Sequence, residues 1–407
     1  MEVLYPRAAG LDVHAQTVVA AVRIAEGTKV SREARTFGTT TRELLLMNDW
    51  LKEFGVTHVG MEATGVYWKP VWHVLESDFA LVLGNAKEIR NVPGRKTDVN
   101  DATWLSDLVA HGLIRGSFVP PRPIQDLRDL TRTRKQMMRE RGQHVQRLQK
   151  VLEDANVKLT NVLSDITGAS GRAILEAIIR GESDPKRLAA LADVRVKASK
   201  AELRDALQGC VRDHHRFMLQ IHLRQIDATE RAVELLEAEI ERALEPFREQ
   251  FERLMNMPGM SEVMAATVIA EIGVDMSVFP TAGHLLAWAG LSPMQDESAG
   301  KRRSNRTKKQ RWLKTAMVQA AWAARKKRNS YFQAQYLRIR ARRGSKKAVV
   351  AVAASLLSAA YHMLRDGQDY HELGADYFQR MDTGRVATKL IKRLQTMGYE
   401  VDLRRAA

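Results

Sequence analysis

Residues 10–22 read GLDVHAQTVVAAV and residues 56–68 read VTHVGMEATGVYW. In the first stretch, small and branched apolar residues surround a single acid, Asp12, in the pattern of a half-buried strand. In the second, Val56 to Met61 is a short apolar strand that runs into Glu62. Ala63-Thr64-Gly65 then turns the chain into a helical stretch from Tyr67 to Leu75. Working outward, Lys29 to Phe37 reads as a second strand, joined to Gly10–Val22 by a tight turn at Glu26-Gly27. Arg42 to Phe54 has helical spacing, with Leu44, Leu45, Trp50 and Leu51 on one side. Ala80 to Leu83 is another strand and Asp98 to His111 another helix. Two leading strands followed by strand–helix alternation predict an α/β domain with a mixed sheet, over residues 1–123.

Beyond residue 123 the pattern becomes helical. Leu127, Leu130, Met137, Val145, Leu148 and Leu152 recur at spacings of three and four, as do Leu219, Leu223, Ile226, Val233, Leu236, Ile240 and Leu244. Long charged helices with narrow apolar seams over 124–255 suggest a coiled-coil stem or dimerisation arm, and an ordinary helical bundle fits the spacing nearly as well. Ser164 to Gly209 is expected to form short helices capping that stem. A helical, basic domain follows over 256–370, and a charged tail over 371–407. The fold class expected is therefore α/β plus all-α.

Charge is distributed unevenly. Residues 299–347 hold 18 Lys and Arg and no Asp or Glu, while the rest of the chain carries 46 basic against 48 acidic side chains. A solvated face mixes both signs, so a long run without a carboxylate points to a polyanion, whose phosphates release counterions on contact. Trp312, Leu313, Met317, Trp322, Tyr331, Phe332, Tyr336 and Leu337 are interleaved with these cations, and the stretch is expected to fold. Cys210 is the single cysteine, which excludes an internal disulfide and a thiolate-rich zinc site. No phosphate-binding G-x-x-x-x-G-K-[ST] loop occurs, so ATP-driven chemistry is not indicated. The first residues, MEVLYPR, lack an apolar signal core. Ala348 to Leu364 carries no charged Asp, Glu, Lys or Arg, but with Ser355, Ser358 and His362 inside it reads as a buried helix, not a bilayer span. A cytoplasmic, nucleoid-associated protein without a membrane partner is expected.

Four carboxylates fall where such an α/β domain could gather them. Asp12 lies in the first strand and Glu62 at the end of the strand Val56–Met61. Asp98 and Asp101 open a helix on one face, with Thr97 as its N-cap. Close together they would repel unless a cation sat among them, and hard oxygen ligands of this kind suit Mg²⁺ or Mn²⁺ in phosphoryl transfer. Taken singly, each reads better as a surface acid or helix cap, Asp12 least so, because a buried unpaired charge in an apolar strand is costly.

Asp12 in GLDVHAQTVVAAV, Glu62 in MEATGVYW, and Asp98 and Asp101 in GRKTDVNDA (94–102) resemble the DEDD tetrad of an insertion-sequence transposase family. That family comprises bridge-RNA-guided recombinases and is related to Piv-type DNA invertases. The resemblance implies an RNase H-like, RuvC-like N-terminal fold whose tetrad binds divalent metal. It covers both ends of the chain and fits the helical middle more loosely.

In the second half, Met257-Pro258-Gly259-Met260-Ser261 precedes an apolar helix. Its backbone amides around Gly259 could hold a phosphate, or the turn could be a plain junction between helices. GLSP (290–293) and then Glu297-Ser298-Ala299-Gly300-Lys301-Arg302-Arg303 are similar in order to the C-terminal transposase domain of the same family. The resemblance implies Ser298 as a nucleophile forming a phosphoserine link to DNA, with Ser292 and Ser304 as rivals. Lys301, Arg302, Arg303, Arg306, Lys308, Lys309 and Arg311 are the accompanying nucleic-acid contacts. Two departures stand out: Ala299 follows the serine where the family has glycine, and Lys308-Lys309-Gln310-Arg311 replaces a K-x-G-N run. The resemblance further implies DNA as substrate, a structured guide (bridge) non-coding RNA, and a composite site in a dimer or tetramer. Competing readings are a metal-dependent, RuvC-like structure-specific endonuclease without a covalent intermediate, and a non-enzymatic architectural protein.

Overall fold

The computed structural model describes residues 2–63, 65–86, 89, 101–293, 297–298, 301–302, 312–380 and 383–401, with backbone alone at 297–298, 301–302, 379, 383, 385–386 and 389. By internal packing the chain divides into two units, Met1–Val119 and Pro120–Ala407. The stretches 124–255, 256–370 and 371–407 differ in local character within the second.

The first unit is built on five strands: β1 (Arg7–Val13), β2 (Thr17–Glu26), β3 (Lys29–Gly38), β4 (His58–Glu62) and β5 (Ala80–Gly84). They lie in the order β3-β2-β1-β4-β5. The first three form an antiparallel meander, while β1, β4 and β5 run parallel, so the sheet is mixed as expected. One expectation is corrected. Gly10 to Val22 is not a single strand; it folds back through exposed His14, Ala15 and Gln16, closed by the His14 amide donating to the Thr17 carbonyl at 2.9 Å. That turn contains no Gly, Pro, Asn or Asp, the residues that usually mark one. β3 is an edge strand, and its exposed Lys29, Arg32, Glu33 and Arg35 discourage pairing with another chain.

Side chains alternate between the two faces of the sheet. Ala9, Leu11 and Val13, with Val18, Ala20, Val22, Val59 and Met61, pack against helices α1 (Thr41–Glu53) and α2 (Trp68–Leu75). Helix α1 starts at Thr40, whose side chain accepts from the Glu43 amide. It buries Leu44, Met47, Trp50 and Leu51, whereas Leu45, expected on that side, is half exposed.

The opposite face carries Ala8, Gly10 and Gly60 and is covered by α3 (Asp101–Ala110). A Cβ on Gly10 would stand 2.2 Å from the Ala102 carbonyl oxygen and 2.4 Å from the Ser106 nitrogen. A Cβ on Gly60 would stand 2.2 Å from a Val109 methyl. The helix backbone therefore rests on the strand backbone. At its far end the Ala110 carbonyl accepts from the Leu4 and Tyr5 amides, so α3 runs antiparallel to β1 and its first residue points toward the Asp12 end of the strand. Buried Arg23 on β2 and Arg32 on β3 both bind the Asp107 carboxylate of α3, at 2.8 and 2.9 Å.

In the second unit, α4 (Arg122–Asp154) and α5 (Asp213–Leu244) pair along their length. Contacts step backward along α5 as they advance along α4: Arg134 with Glu237, Arg141 with Glu230, His144 with His222, and Asp154 with His215. The pair is thus antiparallel. Short helices Leu159–Val162, Ala169–Ile179, Pro185–Ala190 and Lys200–Leu207 cap its far end. They share a core of Leu148, Leu152, Leu163, Ile174, Ile178, Leu203, Leu219, Leu223 and Ile226.

Near the base of this stem lie α6 (Glu262–Ile272), α7 (Leu313–Ala324), α8 (Tyr331–Arg343) and α9 (Ser345–Asp366). Helix α9 is long and apolar enough to cross a membrane by length and composition. It nevertheless buries Val349, Val352, Leu356, Leu357, Ala360 and Tyr361 within the unit, and the Tyr361 hydroxyl donates to the Phe279 carbonyl.

Two measurements check this architecture. In urea unfolding, Gly10→Ala is expected to cost about 1–3 kcal/mol by overpacking, while Gly142→Ala, in an open stretch of α4 with nothing near the added methyl, gains roughly 0.5–1 kcal/mol. The second concerns the stem. Burial, together with His144 and Arg147, lowers the His222 pKa from the ordinary 6.5. The unfolded chain therefore takes up the proton first, and stability present above that value is lost as pH falls through it toward the lowered one. His222→Gln should shrink the difference in melting temperature between pH 7.5 and 5.

Candidate active site and nucleic-acid interface

Asp12 is the next-to-last residue of β1 and Glu62 the last of β4. The β1–β4 register ends at Leu11 beside Met61, so Asp12 and Glu62 follow one step beyond, at adjacent ends of parallel strands. Two residues on from Gly10 and Gly60, both lie on the face that α3 covers. Asp101 begins α3 and is exposed. The close approach at Gly10 thus brings the start of α3 to the same end of the same face.

Three of the four acids expected from the sequence therefore lie toward the same end of the same sheet face, and Asp98 lies outside the described residues. Among the described residues, no three His, Cys, Asp or Glu side chains are close enough to hold one metal ion. Asp12 is not the sealed, unpaired charge that its apolar strand suggests. Its side chain is 25% exposed and its Oδ2 is 3.1 Å from His14 Nε2. His14 sits on the turn that the sequence reading took for strand, which is why it went unnoticed as a neighbour.

In the second unit, GLSP ends the helix Ala282–Trp288. Gly290 adopts a positive φ of 67°, its amide donates to the Ala287 carbonyl, and the Leu291 amide donates to the Leu286 carbonyl. This pair of bonds is a Schellman cap. Leu291 is buried, and Ser292 donates its own amide to Leu286. A two-strand hairpin follows, β6 (Glu297–Ser298) with β7 (Lys301–Arg302), in a register that sets Ser298 opposite Lys301 and Glu297 opposite Arg302. Arg303, Ser304, Arg306, Lys308, Lys309 and Arg311 lie outside the described residues.

Gly259 has a packing reason to be glycine. Its φ is +79°, and a Cβ there would stand 2.3 Å from the Ala320 carbonyl oxygen on α7. On the same part of the unit, the Arg325 guanidinium is stacked 4.4 Å from Trp322 and 4.9 Å from Tyr336, which fixes its orientation.

Sequence reading also passed over a cluster at the stem base. Glu271, 1% exposed at the end of the apolar helix α6, accepts from Nε and Nη2 of Arg132, each at 2.8 Å. Arg128 donates to the carbonyls of Ala270 and Glu271 at 3.0 and 2.7 Å. Burial lowers the pKa of Arg128 and of Lys135. Trp312 lies beneath Arg132 and Lys135, at 5.2 and 5.4 Å from its ring centre. An acid one step from the end of an apolar helix gives no sequence signal that it will be buried; only its partners on α4 do.

Comparison with known families gives two matches. Residues 9–157 match the DEDD-type IS110 transposase family, and residues 251–337 match the transposase IS116/IS110/IS902 family, together more than half of the chain. The chain is 26% identical over 332 residues to the insertion element IS900 uncharacterized 42 kDa protein of Mycobacterium paratuberculosis, covering 72% of this chain and 80% of that protein. It is 33% identical over 120 residues to the insertion element IS110 uncharacterized 43.6 kDa protein of Streptomyces coelicolor, 29% of each. The first match spans β1 to the end of α4 and so contains Asp12, Glu62, Asp98 and Asp101; the second contains Gly259 and the Ser298 hairpin. With its mixed N-terminal sheet and helical remainder, this chain belongs to the IS110 family of DEDD transposases, which act on DNA.

Proposed function

We propose that this transposase cuts and rejoins DNA through a phosphoserine intermediate on Ser298, with an RNase H-like first unit holding divalent metal. The observation that carries the reading is the placement of Asp12, Glu62 and Asp101 at one end of one sheet face by the contact of α3 with Gly10. A strand order with an antiparallel meander leading into parallel strands supports the RNase H-like assignment. The donor set fits the metal: carboxylate oxygens are hard ligands, and Mg²⁺ or Mn²⁺ held by Asp12, Glu62, Asp98 and Asp101 would neutralise charge on a reacting phosphate.

The rest of the chemistry belongs to the chain. Ser298 Oγ bonds to a DNA phosphorus as one strand P–O bond breaks and the severed strand leaves as a hydroxyl. Attack by the hydroxyl of another strand releases the serine and makes the new joint, so bond energy is kept and no ATP is needed. Lys301 and Arg302, beside and following Ser298, with Arg303, Arg306, Lys308, Lys309 and Arg311, supply positive charge for the phosphates, and the Gly259 turn offers backbone amides. A structured guide RNA and a dimer or tetramer that brings the two sites together complete the proposal. Both follow from the family resemblance.

Denaturing gels with end-labelled DNA test the covalent step. The native chain is expected to give a protein–DNA adduct that is absent in Ser298→Ala; cleavage at full rate by Ser298→Ala would establish water attack instead. Asp12→Asn is expected to lower cleavage by about 100-fold or more, the scale of losing one charge-stabilising group, with DNA affinity retained. EDTA should abolish cleavage and added Mg²⁺ or Mn²⁺ restore it; undiminished activity after chelation would remove the metal from the scheme.

A further inference from the structure

Trp312 closes in sequence the run of cations that follows Ser298 and is the residue just before α7. Its ring is covered by two cations of the stem helix α4, Arg132 and Lys135. A cation over an indole is attracted to the negative face of the ring, the more strongly as water is excluded. Arg132 cannot swing away freely, because its planar fork is held by both oxygens of Glu271. Glu271 in turn is so buried that its charge is tolerable only while Arg132 and the nearby cations remain. Arg128, one turn earlier on α4, grips the carbonyl end of α6 and fixes that helix against the stem. At its other end α7 is pinned where Gly259 lies on Ala320 and Ala324. The position of Trp312 is therefore set by the stem.

We propose that Arg132 and Glu271 are positioning residues for DNA strand transfer: through Trp312 they anchor the serine-bearing segment to stem helix α4. The inference rests on reading that segment as the place of phosphoryl transfer. Neither residue touches the reacting atoms; each acts by holding the next. A plain packing pair would alter stability, and would do so equally whether or not the indole is present. A clamp acting through Trp312 has no effect once the ring is gone. Misplacing a reacting group by about 1 Å costs on the order of 100-fold in rate, so a loosened anchor is read as slow chemistry with intact binding.

The test uses the full-length chain and measures strand transfer at saturating DNA, DNA Kd and melting temperature. Trp312→Ala, Glu271→Gln and Arg132→Lys are each expected to lower the saturating rate by about 10- to 100-fold with Kd unchanged. Trp312→Phe, which keeps a ring under the cations, should recover most of it. Glu271→Gln should add nothing in a Trp312→Ala background, a non-additivity that marks one shared path. An equal further loss in that background, an unchanged rate in all variants, or a loss confined to Kd would overturn the proposal. Should Glu271→Gln fail to fold, Arg132→Lys in the Trp312→Ala background gives the same cycle. Trypsin cleavage between Lys301 and Arg311 reads the anchor without activity: faster in Trp312→Ala than in Trp312→Phe supports it, and equal rates refute it. Failure of the Ser298 reading shows separately, as wild-type strand transfer by Ser298→Ala while the clamp variants still lose rate.

Discussion

Close contact of α3 with the central strands, backbone on backbone at Gly10 and a Val109 methyl on Gly60, is the constraint on which the first unit depends. With no side chain at Gly10 or Gly60, the helix sits about one Cβ closer to the sheet than ordinary packing allows. Its axial position is then fixed from the side by two guanidiniums, of Arg23 and Arg32, on one carboxylate of Asp107. Depth and register are both specified, and the start of the helix lands beside the ends of β1 and β4. The acids proposed to act together come from three separate chain segments, and a site of that kind needs rigid support, because like charges repel and would spread apart on a loose frame.

The second unit solves a different problem. A segment rich in Lys and Arg cannot build its own core, so it borrows one. Helix α9, apolar along one side, forms the wall against which the flanking helices pack, and the aromatic residues between the cations turn inward or lie under guanidiniums. Among the described residues of this segment, the backbone is held by these apolar and aromatic contacts and not by carboxylates of its own. The stem adds ion pairs along its seam, of which the exposed ones contribute little individually. The pair of Glu271 and Arg132 is different in kind, because Glu271 is buried and removal of Arg132 would strand its charge in the interior.

How much of this was legible in the sequence depends on whether the signal was local. The apolar strands Val56–Met61 and Ala80–Leu83 and the long periodic helices needed no partner to be recognised, and each is present. The turn at His14 was missed because none of its residues is a turn former, which merged two strands into one. Leu45 was placed inward because three adjacent leucines cannot be ranked without knowing which stripe meets the sheet. For the candidate site, residue types and order were readable, and the neighbourhood of Asp12 and Glu62 followed from strand adjacency. That the approach of α3 hinges on Gly10 was not, since a glycine in a strand does not announce what will lie against it. Glu271 and Arg132, 139 residues apart, are joined only by the fold.

The antiparallel pairing of α4 with α5 has a consequence for how copies of this protein meet. Every rung of that seam is closed by the same polypeptide, so the pairing of the two helices does not depend on concentration. No second copy is needed to complete the rod, which is preassembled and does not first have to zip up.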